Sequence, residues 1–324
     1  MSGKIPVRSS RAKMANLKKY KLFHWVYNLL HYRSLSHNRA AYKRYQIHKP
    51  VVASISSRNF PDKQSRAWLD AGSSRELAPT RPDFAVFPAD VQQSLLSWSD
   101  KGYLIMKDCF SPAEADAIQQ ETERLVARGK LSPTHDNKLL FANRRSGAIL
   151  AVTHDKRLVS ILSFILDKTV LPFQTINFIR GSSQRAHSDS IHMTTYPLGY
   201  LIAVWIALED TNSDNGPLFY YPGSHRLPYL LNEDFNEGSN SLRLGRKDYG
   251  DYEDRIEATI REKQLEKEIF IAHKGDVLIW HANLIHGGMP ILNPGMTRKS
   301  MVIHYYAADV IKYHEITERP SLLK

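Results

Sequence analysis

Tyr200-Leu201-Ile202-Ala203-Val204-Trp205-Ile206-Ala207-Leu208 is an unbroken apolar run of strand length, closed by Asp210-Thr211-Asn212-Ser213-Asp214-Asn215-Gly216-Pro217. Its β-branched and aromatic residues read as a strand, and the Asn, Asp, Gly and Pro that follow read as a turn. The same grammar repeats on both sides. Upstream, Phe173-Gln174-Thr175-Ile176-Asn177-Phe178-Ile179 alternates like a strand and stops at Gly181-Ser182-Ser183. Downstream, a third strand from Leu218 to Tyr221 ends at Pro222-Gly223-Ser224-His225, and Lys274-Gly275-Asp276 turns tightly into Val277-Leu278-Ile279-Trp280. That strand leads to Asn283-Leu284-Ile285-His286-Gly287-Gly288, and the last long strand runs from Lys299 to Tyr306 with Arg298 at its start. Strands joined by such turns, without helices between them, predict antiparallel sheets packed as a double-stranded β-helix, or jelly roll. The fold class expected is mainly β with flanking helices and a helical N-terminal extension.

His187-Ser188-Asp189 lies between the first two strands, and His286 lies far downstream. Two imidazoles and one carboxylate on a single face suit a non-haem ferrous ion, because three protein donors leave positions open for a co-substrate and dioxygen. A His-x-Asp pair alone more often marks a surface turn or a structural histidine; the surrounding strands give this one its weight. Arg298, twelve residues after His286, has the planar, bidentate geometry that satisfies the far carboxylate of a dicarboxylate chelating such an ion. Among the other histidines, His192 and His281 each fall five residues from a candidate ligand and so on the opposite face of a regular strand. His192 is expected as a pocket wall and His225 as a hydrogen-bonding turn residue. His273 and His304 have no special claim.

Together these signals resemble the phytanoyl-CoA dioxygenase family of iron- and 2-oxoglutarate-dependent oxygenases. The resemblance is carried by His187-x-Asp189, Trp205-Ile206-Ala207-Leu208-Glu209-Asp210, Asn215-Gly216-Pro217-Leu218, Pro222-Gly223-Ser224-His225, Gly275-Asp276, His286-Gly287 and Arg298, across roughly Leu95 to Asp309. It implies that His187, Asp189 and His286 bind Fe(II) and that Arg298 anchors 2-oxoglutarate. Trp205 and Asn177 stand where the family packs against or hydrogen-bonds the co-substrate, with Gln174 as the alternative to Asn177. Ser300 is read either as a second donor to the same carboxylate or as an exposed strand serine. Related halogenases replace the carboxylate ligand by a small residue; this chain keeps Asp189, which favours hydroxylation.

Composition bounds the rest. The 324 residues suit one oxygenase domain with an extension. A lone cysteine, Cys109, excludes intramolecular disulfides and points to a reducing compartment such as the cytoplasm. No apolar run approaches the roughly 20 residues of a membrane-spanning helix.

Charge is unevenly placed. Residues 1–50 hold 12 Lys or Arg and no Asp or Glu, so of the chain's 44 basic and 33 acidic residues the remainder has 32 against 33. The net charge of +11 therefore belongs to the extension. Within it, Leu22, Phe23, Val26, Leu29 and Leu30 share one helical face, flanked by Trp25 and Tyr27 and preceded by Lys18, Lys19 and Lys21. That pattern fits a helix lying on an anionic membrane surface and equally a helix docked on the enzyme itself. It also fits an organellar transit peptide. Nucleic acid is disfavoured as a partner, since no recognisable binding motif is present and the catalytic part carries no positive excess.

Three regions follow: a basic amphipathic extension over 1–50, a linker or support region over 51–90, and an oxygenase domain over 91–324. Within the last, Ser111-Pro112-Ala113-Glu114 is a capping box that predicts a helix from about Pro112 to Arg128. Residues 226–266 interrupt the strand pattern, either as a lid or as a solvated excursion with a short helix near Ile256 to Lys267. The activity expected is oxidation of a small-molecule, lipid or glycan substrate. Two other classes remain: a redox-inert, cupin-like metalloprotein, and a membrane-surface binding protein on an inactive oxygenase fold.

Overall fold

The computed structural model describes residues 20–60, 66–134, 137–235, 239–240, 242–245 and 249–323. Its centre is a six-stranded antiparallel sheet in the order β1-β8-β5-β10-β3-β2. These strands are β1 (Tyr103–Met106), β2 (Lys138–Leu140), β3 (Val170–Phe178), β5 (Leu201–Ala207), β8 (Val277–His281) and β10 (Ser300–Ala307). A smaller sheet, in the order β7-β6-β9, is built from β6 (Leu218–Tyr220), β7 (Glu268–Phe270) and β9 (His286–Gly288). A third, in the order β12-β11-β4, joins β4 (Thr194–Tyr196), β11 (Ile311–His314) and β12 (Arg319–Pro320). The strands expected from the turn grammar are all present. The largest boundary difference is at β3, which begins three residues before the expected Phe173.

Side chains alternate across a strand, so the register of the large sheet decides what faces what. One face carries Ile202, Val204 and Ile206 of β5 with Met301, Ile303 and Tyr305 of β10, and is covered by α3 (Pro112–Ala127) and α4 (Lys156–Leu166). The other face carries Ala203, Trp205, Leu278, Trp280 and Val302 and packs on Leu218, Tyr220 and Phe270 of the small sheet. The two sheets thereby enclose the interior of a jelly roll. As the capping box predicts, the Glu114 backbone N–H donates to Ser111 Oγ while the Ser111 backbone N–H donates to the Glu114 carboxylate at 2.7 Å.

Before the roll come α1 (Lys21–Leu30) and α2 (Asn38–Arg44). Lys18 and Lys19 lie outside the described residues. Leu35, Tyr42, Val52, Ile55 and Phe60 pack with Tyr196, Ile311 and Tyr313, so the region before the large sheet closes over the third sheet. The helix α1 docks by its polar edge: His24 and Asn28 are its buried residues, and Asn28 Nδ2 donates to the Val52 carbonyl at 2.9 Å. Its apolar residues face outward. In the 226–266 insertion, α5 spans Tyr249–Glu262, beginning seven residues before the expected Ile256. Its Tyr252 hydroxyl accepts from the Ser188 backbone N–H at 3.0 Å, which fixes the helix against the loop carrying His187 and Asp189.

Candidate metal centre and co-substrate pocket

His187 and His286 reach each other across an isolated antiparallel bridge that extends the edge of the small sheet, with both backbone N–H···O=C bonds at 2.9 Å. Asp189 opens the short turn that follows. The bridge puts one donor atom each of His187, Asp189 and His286 within 4.8 Å of one another, all three residues buried. His187 Nε2 lies 3.9 Å from Asp189 Oδ1, and His286 Nε2 lies 3.8 Å from Asp189 Oδ2.

The tautomers follow from the neighbours. His187 Nδ1 stands 2.8 Å from the Arg185 carbonyl oxygen and His286 Nδ1 stands 2.9 Å from that of Leu284. A carbonyl only accepts, so each ring carries its proton on Nδ1 and turns the Nε2 lone pair inward. The Gln184 side-chain amide, 3.1 Å from His187 Nε2, donates to that same lone pair. Burial, then the nearby His286, pushes His187 down to about 3, so it is neutral at physiological pH. Burial alone would raise the Asp189 carboxyl; His304, then His286, holds it below the usual carboxylate range, and it stays ionised. Trp280 Nε1 donates to Asp189 Oδ2 at 2.9 Å. Two imidazoles that present Nε2 and one oriented carboxylate form the donor set a divalent transition metal requires, and oxygen and nitrogen donors without thiolate suit Fe(II).

Arg298 sits just before β10, with its side chain only 1% exposed among the residues of the roll interior. Its Nη2 donates to the Ser182 carbonyl at 3.0 Å, its Nε has no partner, and no acidic side chain pairs with it among the described residues. Glu209 positions it by accepting from Thr297 Oγ1 at 2.9 Å and from the Lys299 backbone N–H at 2.6 Å, the residues on either side. Burial lowers the guanidinium to about 10, which still leaves it charged at neutral pH. Trp205 Nε1 and Ser300 Oγ, on the same inner face, are likewise buried without partners. Buried donors rarely stay unpaired; a carboxylate would supply the acceptor these three lack. A cavity of about 60 Å³ links this cluster to the triad, lined by Arg298, Trp205, His187, Asp189, His286 and His304. An outer chamber of about 620 Å³ shares His187, Asp189 and His304 with it and continues past Gln174, His192 and Tyr27.

Some expectations need correction. Asn177 points away from the pocket: its Nδ2 donates to Thr122 Oγ1 of α3 at 3.0 Å. Gln174, on the even face, lines the outer chamber. Ser300 is fully buried, not an exposed strand residue. His304 gains the role denied to it, with Nε2 3.4 Å from Asp189 Oδ2. Period two from Arg298 through Ser300 and Val302 puts His304 on the inner face, a signal present in the sequence. His192 walls the outer chamber. His225 and His281 turn away from the metal and lie together, rings 5.3 Å apart, with His281 Nε2 3.2 Å from buried Asp70.

Fold and site thus define a jelly-roll oxygenase with a two-histidine, one-carboxylate metal centre and a buried arginine. A family model described as phytanoyl-CoA dioxygenase (PhyH) matches residues 98–300. The chain belongs to the phytanoyl-CoA dioxygenase family and is an iron(II)- and 2-oxoglutarate-dependent dioxygenase. It is similar to a zebrafish (Danio rerio) phytanoyl-CoA dioxygenase domain-containing protein 1, with 22% identity over 60% of this chain and 82% of the relative. It is also similar to an ectoine dioxygenase of Nocardia farcinica, with 26% identity over 63% of this chain and 74% of that one. The structure of EctD from S. alaskensis with 2-oxoglutarate and 5-hydroxyectoine shares the fold, with a TM-score of 0.53 and 19% identity over 78% of this chain and 86% of that one.

Proposed function

We propose that this enzyme hydroxylates an unactivated C–H bond of a small-molecule, lipid or glycan substrate. The reaction is R–H + 2-oxoglutarate + O2 → R–OH + succinate + CO2. When bound, the ferrous ion and 2-oxoglutarate supply the oxidising chemistry. The residues supply geometry: His187, Asp189 and His286 would hold the metal through Nε2, a carboxylate oxygen and Nε2. Arg298 would take the distal carboxylate of the co-substrate, with Ser300 Oγ and Trp205 Nε1 as further donors. The outer chamber would receive the substrate.

The observation that carries this reading is the buried Arg298, whose Nε has no partner, on the same cavity as the three ligands. A redox-inert metalloprotein has no use for that cation. Retention of Asp189 supports hydroxylation over halogenation. The similar ectoine dioxygenase supports a small-molecule substrate, and the 12 basic, acid-free first 50 residues support peripheral membrane contact from a reducing, cytoplasmic compartment. The test is release of succinate and CO2 from 2-oxoglutarate by the iron-loaded enzyme presented with fractionated cell metabolites. A bound metal without any succinate in every fraction would overturn the assignment.

A further inference from the structure

The helix α1 is amphipathic in the reverse of the usual sense. Its polar residues His24 and Asn28 face the protein, while Leu22, Trp25, Val26, Leu29 and Leu30 point outward, with Leu22 69% and Leu30 78% exposed. Positions 22, 25, 26, 29 and 30 form one continuous stripe at helical spacing. Leu242, also exposed, lies beside the start of the stripe: it lines one groove with Leu22 and Trp25, and its carbonyl accepts from the Lys21 N–H at 2.9 Å. An apolar face of this size on a surface helix marks an interaction site.

The opposite side of the same helix belongs to the active site. Tyr27 and Asn28 line the outer chamber that reaches His187, Asp189 and His304. One helix is therefore the wall between the catalytic chamber and the apolar surface.

Charge identifies what covers that surface. The first 50 residues contain 12 basic and no acidic side chains, and Arg33, Arg39, Lys43 and Arg44, just after the helix, are exposed. A second copy of this chain would bring the same positive charge to the contact, and the chain's own first residues are equally basic. An anionic lipid surface complements both the leucine and tryptophan face and the net positive charge of the segment that carries it.

We propose that α1 seats its outer face in the interface of an anionic bilayer, which sets the chamber behind Tyr27 and Asn28 at the lipid surface and makes the substrate an amphiphile drawn from the membrane. The substrate half rests on the oxygenase reading above; the docking half does not.

Docking is tested by co-sedimentation of the full chain with vesicles of phosphatidylcholine containing about one-third phosphatidylserine, against phosphatidylcholine alone. The wild type binds the anionic vesicles preferentially, and the paired substitution Leu22→Asp with Leu30→Asp lowers that binding about tenfold or more. Both residues are outside the core, so the variant keeps the wild-type melting temperature and iron binding. A wild type that does not bind, a variant that binds as the wild type does, or a variant whose only change is loss of a dimer overturns the proposal. For the substrate, succinate release is measured with vesicles made from a total lipid extract and with the water-soluble extract of the same cells. Release with the vesicles supports an amphiphile, and release confined to the soluble extract overturns it. Succinate in neither, with docking intact, counts against the oxygenase reading and leaves the docking standing.

Discussion

His304 Nε2 and Trp280 Nε1 converge on the same atom, Asp189 Oδ2, at 3.4 and 2.9 Å. The carboxylate ligand is therefore oriented from two strands of the large sheet, β10 and β8, while its own turn belongs to neither. Groups that orient a metal ligand typically contribute a factor of about 10–100 to metal affinity.

Replacing His304 by Ala should leave all three ligands in place and weaken iron binding by roughly 10–100-fold. Asp189→Ala, which deletes a ligand, should abolish turnover while the fold persists. Anaerobic iron titration of both variants separates the roles. If His304→Ala binds iron as tightly as the wild type, the ring is only a pocket wall.

Arg298→Leu should raise the 2-oxoglutarate requirement by orders of magnitude, since a buried carboxylate deprived of its partner costs about 3–5 kcal/mol. Glu209→Gln should give a smaller rise, because Glu209 holds the residues flanking Arg298 and does not reach the co-substrate. The readout is the apparent KM for 2-oxoglutarate. An unchanged KM in Arg298→Leu would assign the carboxylate to another cation, with Lys138, on the same cavity, the first to examine.

Asn177 and Ser300 make an opposed pair. Asn177→Ala removes a buried hydrogen bond to Thr122 on the helix side, so it should cost about 1–2 kcal/mol of stability and leave the KM for 2-oxoglutarate unaltered. Ser300→Ala should do the reverse, raising KM about fivefold for a donor worth roughly 1 kcal/mol. Denaturant titration and steady-state kinetics on the two variants decide it.

The strands were legible because turns rich in Gly, Pro and Asn delimit them, and Arg298 and Trp205 could be placed by position relative to those turns. The sequence does not decide between Asn177 and Gln174 because residues an odd number apart on a strand face opposite layers, so that choice inverts the outcome. Strand parity carries His304 inward with Ser300, but no motif in the sequence marks it as a partner of Asp189. Nothing in the sequence could tell which edge of α1 docks: its apolar stripe is plain, but the partners of His24 and Asn28, such as the Val52 carbonyl, come from tertiary packing. The seven-residue error at the start of α5 has a similar origin, since Tyr249 and Tyr252 join the helix by packing at the metal loop. His192 and Tyr249 rings lie 4.5 Å apart there.

Stability should fall in mild acid, and one buried histidine away from the metal allows the effect to be isolated. His225 lies against Gly102, where a Cβ would come within 2.3 Å of its Nδ1. Around it stand His281, Asp70 and Arg226, and burial first, then His281, lowers it from 6.5 to about 3. Between those two values the unfolded chain binds a proton that the folded chain does not, so stability rises with pH across the window. The contribution is fully present above pH 6.5 and is lost as pH falls toward 3, amounting to about 2 kcal/mol at pH 5. Asp70 does not mask this: burial would raise its carboxyl but His281 holds it below the ordinary 3.8, so it stays ionised across the pH 5–7 range compared. His225→Gln keeps a side chain of similar reach without a titrating group. Urea midpoints at pH 7 and pH 5 should therefore differ less in His225→Gln than in the wild type, by one histidine's share, and equal differences would show that His225 is protonated in the folded state.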